Sequence, residues 1–122
     1  MKDHTYKIAE FKLYLTKEQE STLTEWLKTA CWIYNQALEH RSKSYKRRGK
    51  SVTNFDQTKM LTGWRNRMKR VRNLPSGFGR DALRRVDTAF QGFFRRVKKG
   101  GNAGYPRFKS WRRYNSLEQL AI

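Results

Sequence analysis

Hydrolysing a phosphodiester with two metals needs several convergent carboxylates, and covalent catalysis needs a nucleophile beside a base. The 122-residue sequence offers ten acidic residues, two histidines and one cysteine for such work. Only Asp56, Asp81 and Asp87 fall within residues 41–113, and the last two, six positions apart, do not share a helix face. His4 and His40 have no carboxylate or second histidine at ligand spacing, so a metal site is not expected. Cys31 stands alone, which excludes an internal disulfide and a multi-cysteine zinc site. It sits in an apolar helical stripe and reads as a small buried hydrophobe. No catalytic residue, metal ligand or cofactor site is expected in this chain.

The cations carry a stronger signal. Net charge is +18, with 28 Lys and Arg against 10 Asp and Glu. Residues 41–113 hold 23 basic and 3 acidic side chains, whereas residues 1–40 hold 5 and 6. Self-repulsion of that size is unfavourable unless a polyanion offsets it, and RNA or DNA is the natural polyanion. A membrane surface is the competing partner, but it would want an apolar face free for lipid. Here the aromatic residues, 14% of the chain, are needed for a core. Residues 1–20 contain no continuous apolar h-region and no stretch is as long as a membrane span, so a cytoplasmic protein is expected.

Two basic groups are candidate contacts. On the third helix, Arg80, Arg84, Arg85, Arg95 and Arg96 could bridge phosphate oxygens, and Ser76 lies at the helix start, where free amides favour an anion. Gly77 and Gly79 stand there in place of better helix formers. The second group is Lys98, Lys99, Arg107, Lys109, Arg112 and Arg113, interleaved with Tyr105, Phe108 and Trp111. Alternating cations and aromatics suit single-stranded or structured RNA. The plainer alternatives are a solvated basic face and aromatics that pack inward.

The elements that must position these residues are legible from spacing. Residues 5–15 alternate with one change of phase, as a strand bulged near Ala9–Glu10 would, and a lone strand needs a partner later in the chain. Thr16 and Gln19 form a capping-box pattern. Leu23, Trp26, Leu27, Ala30, Ile33, Tyr34, Ala37 and Leu38 follow on one face of a helix expected to run to about Arg47 and stop at Gly49. A second helix is expected from a cap at Thr53, with Phe55, Leu61, Trp64, Met68 and Val71 at helical spacing, ending at Asn73–Pro75. A third runs from about Ser76 to Val97 with Leu83, Val86, Phe90, Phe93, Phe94 and Val97 as its stripe, and Asp81 pairs with Arg85 at four residues' spacing. Residues 98–104 read as a flexible basic loop, 105–109 as extended, and 114–122 as the start of another strand.

Three stretches together resemble one family. They are Phe11 to Gln19, then Trp32 to Leu38, then Ala89 through Phe93, Phe94, Lys98 and Gly101 to Gly104, Tyr105, Pro106, Arg107, Phe108, Lys109 and Ser110. Their order and intervals are similar to the TnpB/OrfB proteins of insertion sequences. The resemblance implies a mainly α fold, with a three-helix recognition lobe inserted between short strands of a wedge-type barrel. It divides the chain into a first barrel strand at 1–15, the lobe at 16–97, and a basic loop with returning strands at 98–122. It further implies guide RNA and target-adjacent double-stranded DNA as partners. Cutting in that family belongs to a RuvC-like domain with divalent metal and to a four-cysteine zinc element, both further along than this sequence reaches. The chain is therefore expected to be an amino-terminal fragment, a truncated frame, half of a split gene whose other half is a partner, or a gene remnant. A freestanding helix-turn-helix DNA-binding regulator or transposase accessory protein is the alternative. Asn35 is expected to fix a helix contact, the alternative being to read a base.

Overall fold

The computed structural model describes residues 5–7, 16–49, 51–100, 103–114 and 116–118. In chain order these form β1 (Thr5–Lys7), α1 (Lys17–Arg48), α2 (Asn54–Arg67), α3 (Lys69–Asn73), α4 (Ser76–Lys98) and β2 (Ser116–Glu118). The mainly α expectation holds, with four helices rather than three. The two strands pair antiparallel, Tyr6 opposite Leu117, over three residues each. The rest of the expected first strand, residues 8–15, lies outside the described residues, and the described strands do not form a barrel.

The 32 residues of α1 make its length about 48 Å. Its start is the reciprocal cap expected from sequence: the Gln19 amide donates to Thr16 Oγ1, and the Thr16 amide donates to Gln19 Oε1, both at 3.1 Å. Its end is Gly49 in the left-handed region, φ 62°, where a Cβ would be strained. Between them Leu27, Ala30, Cys31, Ile33, Tyr34, Ala37 and Leu38 form the buried stripe.

The expected single second helix is broken. Met68 adopts φ −121°, ψ 119°, which ends α2 and begins the five-residue α3. Two arginines make the break tolerable by donating to carbonyls at the ends of the two helices. Arg72 Nη1 donates to the carbonyls of Arg65 and Asn66 at 3.1 and 3.2 Å. Arg65 Nη1 donates in return to those of Leu74 and Val71 at 3.0 and 3.4 Å. The break lets Val71 and Leu74 turn inward, where both are fully buried. Phe55, expected on the buried face, is instead 69% exposed at the α2 start, with Lys59 Nζ 4.7 Å from its ring centroid.

The apolar stripe of α4 packs on α1 through Leu83, Val86, Phe90 and Phe93. Burying each of those phenyl rings stabilises by about 1.5–3 kcal/mol. Val97, expected in the stripe, is exposed, so the buried face ends at the half-buried Phe94. The glycine pair that weakens the start of α4 has a packing reason at Gly79. A Cβ there would meet Leu61 Cδ2 at 3.1 Å and Cδ1 at 3.3 Å, so any larger residue would require the Leu61 side chain to give way where α4 lies against α2. After α4 the chain returns without regular structure from Ala103 to Ser110 and turns at 111–113. It then buries Tyr114 against Tyr34, ring centroids 6.0 Å apart.

Candidate nucleic-acid interface

The returning segment is pinned by one side chain. Asn35 Nδ2 donates to the Lys109 carbonyl at 2.8 Å, and the Lys109 amide donates to Asn35 Oδ1 at 2.9 Å. The carboxamide thus imitates a strand partner for one residue of backbone. Cys31, one turn earlier on α1, donates its thiol to the same carbonyl at 3.1 Å. Burial pushes that thiol's pKa up, opposed by the Lys109 charge and the Asn35 hydrogen bond. Asn35 therefore has the structural role expected of it.

Pinned this way, residues 107–109 face outward between α1 and the last turns of α4. Tyr105 does pack inward, stacked on Phe93 at 4.7 Å between centroids. Phe108 does not; it is 61% exposed. An open groove of about 510 Å³ runs beside it, with Arg96, Arg107, Lys109 and Arg113 on its walls and Tyr34 and Ala89 at its floor. On the other flank of the same segment a second groove, about 360 Å³, is lined by Lys43, Lys46 and Arg107 with Leu38 and Ser42. Lys46 Nζ stands 4.6 Å from the Tyr105 centroid and Lys109 Nζ 5.1 Å from that of Tyr34, so the aromatic bodies of the core hold cations at the surface.

The twelve residues expected to touch nucleic acid fall into distinct settings. Arg96, Arg107, Lys109 and Arg113 come together around one groove. Arg95, Lys98 and Lys99 are exposed at the end of α4, and Arg112 lies over Trp111 at 5.4 Å. Ser76 and Arg80 are half-buried at the α4 start, away from that groove. Arg84 and Arg85 serve a buried carboxylate. Asp81 is 1% exposed and accepts from Arg84 Nη2 at 2.6 Å and from Arg85 Nε at 2.8 Å. A carboxylate so desolvated needs both charges. Arg85 also lies 4.5 Å over the Tyr114 ring, which fixes the last buried aromatic against α4. The pairing expected between Asp81 and Arg85 is present, and it is a buried anchor rather than a surface ornament. Burial raises the Tyr114 phenol well above its usual range, Arg85 opposing.

Sequence reasoning missed two features. Lys43 and Lys46 on α1 join the interface only because the 105–108 segment folds back beside them. Arg41 lies at the centre of a buried polar junction of three helices. Its Nε donates to Gln57 Oε1 at 2.8 Å and its Nη1 pairs with Asp87 Oδ1 at 3.0 Å, while Gln57 Nε2 donates to the Ala37 carbonyl at 2.8 Å. Nothing in local spacing marks an arginine for burial, because the partners lie 16 and 46 residues away. Among the described residues no three His, Cys, Asp or Glu side chains gather as metal ligands would, and no helix is long and apolar enough to cross a membrane.

Comparison with known proteins gives this geometry a lineage. Residues 1–50 match the helix-turn-helix domain model of OrfB proteins from IS605-type insertion sequences. Within that range the described residues 16–49 form one uninterrupted helix and its caps. A protein of Streptomyces pristinaespiralis named "Putative RNA-guided DNA endonuclease" is 30% identical over 105 residues. The match takes in 82% of this chain and 24% of that protein, so the chain spans about a quarter of the length of the curated relative it matches. The resemblance read from the sequence is thus matched by the comparisons: the first 50 residues fit the helix-turn-helix domain model of OrfB proteins, and most of the chain is distantly homologous to a protein named as an RNA-guided DNA endonuclease.

Proposed function

We propose that this chain is the nucleic-acid-gripping module of a transposon-encoded RNA-guided nuclease, contacting guide RNA and target-adjacent DNA and leaving the cutting to RuvC-like and zinc domains elsewhere in the parent enzyme. The supporting observation is the convergence of four cations from two separate segments around one groove, with no acidic side chain on its walls. Phosphates are the groups such a groove takes. The similarity over most of the chain to a protein named as an RNA-guided DNA endonuclease supports RNA as one of the strands. The alternative, a freestanding helix-turn-helix regulator, is less well supported, because the similarity that takes in 82% of this chain is to a protein named as an RNA-guided DNA endonuclease.

The test is binding at matched salt, since any protein of charge +18 binds polyanions at low salt. The full chain should bind a transposon-end transcript more tightly than random RNA of equal length, and should carry RNA through purification. Equal affinity for both RNAs, with nothing co-purified, would sink the guide-binding reading. Replacing Arg96, Arg107 and Arg113 together by Gln should flatten the dependence of log K on log salt by about 2 on a single strand. An unchanged slope would move the grip elsewhere on the molecule.

A further inference from the structure

The side chain best placed to do something the charges cannot is Phe108. It is an exposed phenyl ring in a protein that buries most of its other described aromatics wholly or in part. Its backbone is held on both sides: Tyr105 stacks on Phe93, and the Lys109 amide and carbonyl are bound by Asn35. The ring therefore stands on a fixed stretch of chain, as a ridge between the two grooves that flank residues 105–109. The walls of those grooves carry six basic side chains and one acid, Glu39, which Lys43 already neutralises at 3.2 Å.

We infer that Phe108 is a stacking platform for one unpaired base of a single-stranded nucleic acid whose backbone follows the cations on either side. An apolar ring in open water gains most from a partner with a flat π-face, and the surrounding positive charge selects a polyanion over a protein surface. A duplex keeps its bases stacked on one another and offers this ring none, whereas an unpaired strand can turn one out. The arrangement thus separates two tasks. The cations hold any strand, paired or unpaired, and the ring favours the unpaired one. The inference rests on the nucleic-acid reading above and assigns within it a discriminating residue.

The experiment uses the full chain with a 12-nucleotide RNA, a DNA of the same sequence, each with a central 2-aminopurine, and the matching duplex. Wild-type protein should quench 2-aminopurine in the single strands through ring stacking. Phe108→Ala should abolish the quenching and weaken single-strand binding about tenfold, while duplex affinity stays within about twofold. Phe108→Trp should retain both signals. Either single strand showing the loss supports the site, and the larger loss identifies whether RNA or DNA supplies the base. Equal weakening of single strand and duplex, or no change in either, overturns the platform. A wild-type chain that binds none of the three probes overturns the broader nucleic-acid reading instead.

Discussion

Single side chains set the geometry of this surface, and Asn35 is the clearest. It makes two hydrogen bonds to the Lys109 backbone from the exposed edge of α1, and the Cys31 thiol lies beneath them. Asn35→Ala removes both bonds, leaving the Lys109 amide without its acceptor and the Lys109 carbonyl with the Cys31 thiol alone. The expected cost is about 1–3 kcal/mol, read as a lower midpoint in urea unfolding. The same change should make Cys31, buried in the wild type, react faster with a thiol reagent, because its cover is released. Equal reaction rates in the two proteins would mean that Asn35 does not hold the segment down. Asp81 illustrates the other use of a side chain at this scale. Its buried carboxylate pairs with both Arg84 and Arg85 at the start of α4.

At the scale of the element, each long helix begins or ends on a local signal. Thr53 and Asp56 cap α2 reciprocally, the Asp56 amide donating to Thr53 Oγ1 and the Thr53 amide to Asp56 Oδ2, both at 3.1 Å. The Thr53 amide foremost, and then the Thr53 hydroxyl, which donates to the same Oδ2 at 2.9 Å, hold the Asp56 carboxyl below its usual pKa. A carboxylate depressed in the folded state stabilises fully above its unfolded pKa, near 4, and that contribution is lost as pH falls through the lower folded value. Thr53→Ala should therefore destabilise α2 at neutral pH, with the difference from wild type narrowing as pH drops below about 4. Thermal unfolding of both proteins across pH 2.5–7 would check it, and a difference constant over about that range would assign the cap no ionised partner. By contrast α4 starts at Pro75 without a side-chain cap, and tertiary contact through Gly79 and Phe78 holds its first turn.

For the molecule as a whole, the segment after α4 is part of the core and not an appendage to a helical lobe. Tyr114 is 1% exposed, Tyr105 stacks on Phe93, and Trp111 packs on the same cluster with Lys28 beneath it. Deleting residues 101–122 would uncover Tyr34, Phe93 and the Asp81–Arg85 pair together. A chain ending at Gly100 should unfold at least about 10 °C lower, or bind a hydrophobic dye as a loosely packed state does, because several kcal/mol of aromatic burial is lost. Unchanged cooperative melting of the truncated chain would show that the helices suffice alone.

Features that depend on near neighbours are legible in the order of residues alone. The Thr16 and Gln19 cap, the stop at Gly49, the apolar stripes of α1 and α4 and the pairing of Asp81 with Arg85 are all read within a few residues, because helix geometry repeats every 3.6 residues. The family was legible too, since its motifs are short and ordered. Tertiary structure decided the rest, for one physical reason: a charged or aromatic residue has the same local spacing whether its partner is water, another helix or a ligand. Only folding brought Arg41 to Gln57 and Asp87, broke the second helix at Met68 so that Val71 and Leu74 could be buried, and made Gly79 the point where α4 meets Leu61. Only folding separated two neighbours on one segment, turning Tyr105 into core and leaving Phe108 facing out among the cations.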